Sequence, residues 1–318
     1  MRVSALVAGL LAAAAVASAA GADRMVTSPG RVQALARSGY SAAFLSGPYR
    51  GHCGPQVRLW NLVNGGVYRL GRHTDAVCNE GPSGGSGVTD IAVAGNRALW
   101  LAYAGGNLTD WILYTASTTR PTERQVEFRE VDADAPPPIL LGVGSERVLP
   151  YSIGRTVKVL KANGARAYTW QAPGPVTNTT AYEDQVAAFV RGGKCYVLSR
   201  GGKVTATYTF PAGAVQEFAL AGTGLVVQLR QGRVEIHRGA SVKTVRLPAT
   251  ARMLDYQEGF VLYKLGKQIR ARRVLNGKDA LIRYGTHGVL EHNGMSYAAD
   301  RKVSSIAWVT FTARVNNS

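Results

Sequence analysis

The chain has 318 residues, 46% of them hydrophobic and 18% charged, with 37 Lys and Arg against 20 Asp and Glu. This composition excludes a disordered polymer, and the length fits one large domain or two ordinary ones. A net charge of +17 favours anionic partners, and no charge-free apolar stretch reaches the roughly 20 residues that a membrane-spanning helix needs.

In chain order, Met1 and Arg2 supply a positive start, residues 5–16 an apolar run, and Ala17-Ser18-Ala19 a small-x-small cleavage pattern. The pattern predicts a secretory signal peptide over residues 1–22, cut after Ala19 or Ala22, and a secreted, periplasmic or cell-envelope product. No Cys near either cut offers a lipid anchor.

Export permits disulfides. Cys53 and Cys78 lie in Gly- and Pro-containing loops, GHCGPQ and AVCNEGPSGG, and are the expected pair. Closing that loop would stabilise by roughly 3 kcal/mol in the chain-entropy account. Cys195, in the apolar stretch KCYVLS, reads as a buried free thiol. Between the first two cysteines stands VRLWNLVNGG, residues 57–66, an alternating strand with Trp60-Asn61 and then a turn.

Beyond this point the chain repeats. In VTDIAVAGNRALWLAY an apolar strand is followed by a small or polar turn and a second apolar strand, and the same template returns across the sequence. Seven starts result, at Val32, Val88, Pro138, Val176, Val215, Ala251 and Gly285, with spacings of 56, 50, 38, 39, 36 and 34. Each later unit has room for about four short strands, the size of a propeller blade. Glycine-bearing turns, including Asn276-Gly277, punctuate strands such as FVLYKL and QIRARRV. No helical periodicity follows the signal peptide. The prediction is therefore an all-β single domain over residues 23–318, a β-propeller of seven four-stranded blades. Six blades, or two β-sandwiches, are the alternatives. Residues 24–27, RMVT, are expected to supply the outer strand of the last blade, because the chain ends with too little left to form it.

The repeat and the strand around Trp60-Asn61 resemble the exported bacterial β-propellers, loosely of the WD-repeat and TolB-like kind, from Val32 to Val315. The resemblance implies a rigid scaffold with loops at both ends of a central channel, an architecture that hosts binding proteins and enzymes alike.

In such a blade the loop between the second and third strands, and the loop to the next blade, open on one face. Cys53 and Cys78 fall in these loops, with the insertions at residues 79–87 and 129–138. That face is the expected binding surface. Its candidate residues are His52, His73, Asp75 and Glu80, whose types suit a metal or acid-base pair but match no spacing motif, and Asp132 and Asp134, which could hold calcium. Arg270 and Arg272, in KLGKQIRARR, are either a solvated outer strand or an anion-binding patch. No nucleophile motif, phosphate-cradling loop or cofactor pattern is present. The leading expectation is a non-catalytic monomeric scaffold that binds a partner protein or a polyanion: an acidic glycan, a phosphate polymer or an anionic lipid surface. Export argues against nucleic acid. The competing expectation is a propeller hydrolase or lyase with Asp90, Glu217 and Asp255 gathered at the channel mouth.

Overall fold

A computed structural model describes residues 23–47, 54–71, 85–222 and 224–318. The strands form seven four-stranded antiparallel sheets. The first strand of each sheet packs against the first strands of both neighbouring sheets, and the seventh closes on the first. These inner strands are Val32–Ser38, Gly85–Ala94, Ile139–Leu141, Val176–Tyr182, Val215–Ala221, Arg252–Gln257 and His287–Glu291. The protein is a seven-bladed β-propeller, which rules out the six-bladed and sandwich alternatives.

Burial explains why the repeat was readable. Second strands lie between two strands of their own blade and two neighbouring blades, so they run mostly apolar: Ser41–Ser46 is buried at every position. Outer strands sit where blades diverge and carry polar residues, as in Ser241–Arg246. There is no single central core. Seven apolar clusters lie between successive blades, the first of them centred on the fully buried Trp100.

The stretch around Trp60 is the third strand, turn and fourth strand of blade 1. Trp60 is buried in the seam between blades 7 and 1. Asn61 Oδ1 accepts the backbone N–H groups of Val63 (2.8 Å) and Asn64 (3.1 Å), so its side chain builds the turn that follows.

The ring closes with the N-terminal segment. Arg24–Thr27 is the outer strand of blade 7, pairing in register from Arg24 with Ser305 to Thr27 with Lys302. The Arg24 guanidinium also donates to the carbonyls of Leu62 and Val63 in blade 1.

Three expectations need correction. A helix, Trp308–Asn316, follows the last strand, where an unbroken β pattern was expected. Its Phe311 and Val315 are buried against Phe260 and Ile269 of blade 6, so tertiary burial decides a segment whose β-branched residues favour strand. The presumed insertion at residues 129–138 begins as strand, because Arg129 to Asp132 pair with Trp111 to Leu108, and only residues 133–138 form the connection. Likewise Gly85 to Gly87 pair with Gly105 to Tyr103 rather than belonging to a flexible linker. Blade 2 is consequently long, its strands having 10, 9, 10 and 13 residues. It overhangs the ring by about four residues, or roughly 13 Å at strand rise.

Candidate functional site

The inner strands show how the chain uses its candidate acids. Five of them carry a bulge at the same place, so that Ala34, Asp90, Asn178, Glu217 and Asp255 resume the pairing with the second strand. Asp255 is thus equivalent to Asp90 and Glu217, although the sequence template set it two positions further along. A bulge turns a backbone N–H out of the ladder. Asp90, Asn178 and Asp255 each accept the N–H of the next residue, at 2.8 Å in all three. Asp255 Oδ2 also accepts the N–H of Leu290 at 2.9 Å, tying blade 6 to blade 7. Glu217 is bound to Arg252 instead. Of the three acids only Asp255 borders the channel-mouth cavity described below.

Desolvation between the inner strands pushes the Asp90 carboxyl up to about 6, against the N–H bond from Ile91, and Asp255 up to about 7, against its two N–H bonds. The native state therefore favours the protonated form, so this contribution to stability is complete at pH values below the unfolded pKa. It is lost as pH rises through the folded value. Asn178 performs the same bond without a charge. Asp90→Asn is expected to match the wild-type melting temperature near pH 4 and to gain on it as pH rises to 6 and above. A difference that stays constant from pH 4 to 7 would show that the charge of Asp90 carries no cost.

The inner strands end on one face of the ring, here the exit face, in the turns to the second strands. A cavity of about 320 Å³ opens there at the channel mouth, lined by residues that include Glu146, Glu183, Asp255, Glu291 and His292. Glu183 and Glu258 hold these turns at φ of +49° and +46°, a left-handed conformation that costs a non-glycine residue about 1–2 kcal/mol. His292 Nε2 lies 3.7 Å from Glu146 and its Nδ1 3.6 Å from Glu291. Its contact with Glu291, followed by the charge of Glu146, holds the imidazole pKa above its ordinary value against the opposing effect of burial. Arg37 is buried beneath them. It donates to Gly39 O, to Ser296 and Ser305 Oγ at 3.1 Å, and to Asn293 Oδ1 at 2.7 Å. Burial pulls its pKa down to about 10, opposed by Glu291, Tyr40 and Glu146.

Glycines let the strands converge here. A Cβ on Gly142 would lie 2.0 Å from Thr179 Oγ1, and one on Gly144 would lie 2.4 Å from Val93 O. Between them Val143 forms a parallel bridge to Thr180 of blade 4. Gly142-Val143-Gly144 is an inter-blade joint.

The opposite, entry face has the reverse charge. The turns between second and third strands, with the strand ends that flank them, carry Arg155 in blade 3, Arg191 and Lys194 in blade 4, Arg230 and Arg233 in blade 5, Lys264 and Lys267 in blade 6, and Arg301 and Lys302 beside Asp300 in blade 7. Arg233 is paired with Glu235. Among the described residues Arg191, Lys194, Arg230, Lys267 and Lys302 make no ion pair. Burial, then Lys264, then Arg31 hold the pKa of His287 down, against a backbone hydrogen bond at Gln33 that raises it. Positive charge thus gathers around His287 on this face.

The expected site residues divide sharply. His52, Cys53, His73, Asp75, Cys78 and Glu80 lie outside the described residues. Asp132 ends the outer strand of blade 2 and Asp134 follows it in the turn; both are exposed on the overhang. Arg270 and Arg272 lie on the third strand of blade 6, not on an outer strand, and face Asp279 at 2.9 and 3.8 Å. Cys195 is buried and free, and burial drives its thiol pKa up. Sequence reading missed the alternation of charge between the two sets of turns. The signal was present as Glu183, Glu258 and Glu291 at one turn of the unit and the Arg-Gly-Gly, Arg-Gln-Gly and Gly-Lys turns at the other, but it has meaning only once the turns are assigned to faces.

No protein-family model and no curated protein matches the sequence. Among solved structures, a chain of the mitotic checkpoint complex aligns over 89% of this chain and 94% of its own, at 13% identity and a TM-score of 0.57. PorZ, an essential bacterial surface component of the type-IX secretion system of Porphyromonas gingivalis, aligns over 90% of this chain at 12% identity and a TM-score of 0.52. This chain spans 39% of that one. At such identities the shared property is the fold, a propeller ring of the kind that the resemblance to WD-repeat and TolB-like proteins implied.

Proposed function

We propose that the protein is an exported, non-catalytic binding scaffold whose entry face engages an anionic partner, either an acidic protein surface or an envelope polyanion. The observation that carries this reading is the run of basic turns over five consecutive blades on one face of a rigid ring. Arg and Lys left without counter-ions raise the local concentration of anions and steer their approach. Nine of the 37 basic residues lie in these turns or the strand ends that flank them, and Arg adds bidentate recognition of carboxylate, sulfate or phosphate groups. The overhang of blade 2 presents Asp110, Glu130, Asp132 and Asp134 beside the basic arc, which would disfavour anions there and set the direction in which a polymer lies. Arg270 and Arg272 are left out of this surface because Asp279 occupies them. The signal peptide over residues 1–22, the Cys53–Cys78 link and the monomeric state belong to the same proposal.

The test is retention on immobilised heparin and binding of polyphosphate across a salt series. Affinity is expected to fall steeply with salt, and the triple variant Arg191→Glu, Lys194→Glu, Arg230→Glu to bind at least about 100-fold more weakly, a few kcal/mol for several charge reversals. Charge reversal at Lys161 and Lys203, in exit-face turns, should leave binding nearly unchanged. Equal losses from both sets would mean that net charge alone is at work, and absence of retention at low salt would end the polyanion reading.

A further inference from the structure

The exit face carries an arrangement that the entry-face proposal does not use. Glu146 lies in the inner turn of blade 3, and Glu291 and His292 in that of blade 7, with blades 1 and 2 between them around the ring. One donor atom from each of the three lies within 4.8 Å of the others. The carboxylate of Glu146 reaches this position over Gly39, where a Cβ would lie 2.0 Å from its Oε1. Of the arginines lining the cavity, Arg37 directs its hydrogen bonds to Gly39, Asn293, Ser296 and Ser305, and Arg147 pairs with Asp184. Both carboxylates therefore remain available as ligands.

We propose that the exit-face mouth binds one divalent transition-metal ion through Glu146, Glu291 and His292. An imidazole with two carboxylates is a mixed nitrogen and oxygen set, which suits Zn²⁺ or Mn²⁺ better than an all-oxygen ion such as Ca²⁺. Donor separations below 4.8 Å need only side-chain adjustment to reach the roughly 3.0–3.4 Å expected between ligands at 2.0–2.1 Å from one ion. The ion would join blade 3 to blade 7 across the channel mouth, so its binding stabilises the closed ring.

The experiment is calorimetric titration of the chelator-treated whole protein with ZnCl₂ and separately with MnCl₂, together with thermal melts. One ion per chain is expected, with a melting temperature that rises with metal concentration. The double variant Glu146→Gln, His292→Gln should lose affinity by about 100-fold or more and lose the metal-dependent rise, while Asp132→Asn, Asp134→Asn keeps both. His292→Gln alone, at an exposed position, serves if the double variant does not fold, and it should weaken binding by about 10-fold or more. Absence of heat and of any melting shift with both metals would overturn the proposal. So would stoichiometric binding that survives in the double variant, since the ion would then sit elsewhere, on residues such as His52 or His73.

Discussion

Replacing Arg37 by alanine is expected to lower the free energy of unfolding by about 3–5 kcal/mol, the largest effect of any polar substitution discussed here. The guanidinium lies in the seam where blade 1 meets blade 7 and is 4% exposed. Its removal leaves Ser296 Oγ, Ser305 Oγ and Asn293 Oδ1 without their donor and opens a void at the joint that closes the ring. Each orphaned buried group costs about 1–3 kcal/mol, with partial relaxation reducing the sum. Lysine cannot satisfy several acceptors from a fixed fork and should recover only part of the loss. Chemical denaturation of the three proteins measures this directly. A loss below about 1 kcal/mol for Arg37→Ala would mean that water replaces the guanidinium and that the seam is wetter than its burial implies.

Deletion of residues 23–27 is expected to lower the melting temperature by roughly 5–10 °C and to promote self-association. Four cross-strand pairs and the packing of Val26 contribute about 2–4 kcal/mol together, and each kcal/mol shifts a chain of this size by about 2–4 °C. The deletion also removes the Asp23–Arg314 pair at 2.9 Å and the hold of Arg24 on blade 1. It leaves the edge of Lys302–Ala307 open, and an open edge recruits another strand. Adding the peptide of residues 23–28 in trans should restore part of the lost stability. A truncated chain as stable and as monodisperse as the parent would mean that the inter-blade cores alone hold the ring closed.

The acidic mouth and the basic arc lie at opposite ends of one channel, and their separation follows from chain direction. Antiparallel blades send the turn after each first strand to one face and the turn after each second strand to the other. Acids gather at the former in blades 3, 4, 6 and 7, and bases at the latter in blades 3 to 7, so the two channel mouths differ in charge. A net charge of +17 conceals this, since it counts the two ends together.

Much of the fold was legible because a propeller is assembled from local units. The returning template of strand, turn and strand, the Gly-rich hairpins and the role of residues 24–27 all depend on alternation and turn chemistry within 40 residues. The expectation of export, from residues 1–22, likewise rests on a local pattern, and those residues lie outside the described ones. What failed at the local level was decided by neighbours. The helix of Trp308–Asn316 forms because Phe260 and Ile269 offer it an apolar bed, and residues 85–87 and 129–132 are strands because they pair with the two arms of the hairpin formed by the second and third strands of blade 2.

For the site the balance was reversed. By itself the sequence determined the architecture, the net positive charge and which carboxylates stand in inner strands. Only the tertiary structure decided that Asp90 and Asp255 serve bulges, that Arg270 and Arg272 are held by Asp279, and that Glu146 meets Glu291 and His292 from blades that are not neighbours. The physical reason is distance along the chain. Strand and turn preferences act between residues a few positions apart, whereas a site at the mouth of a ring joins residues about 145 positions apart, whose proximity exists only after the ring has closed.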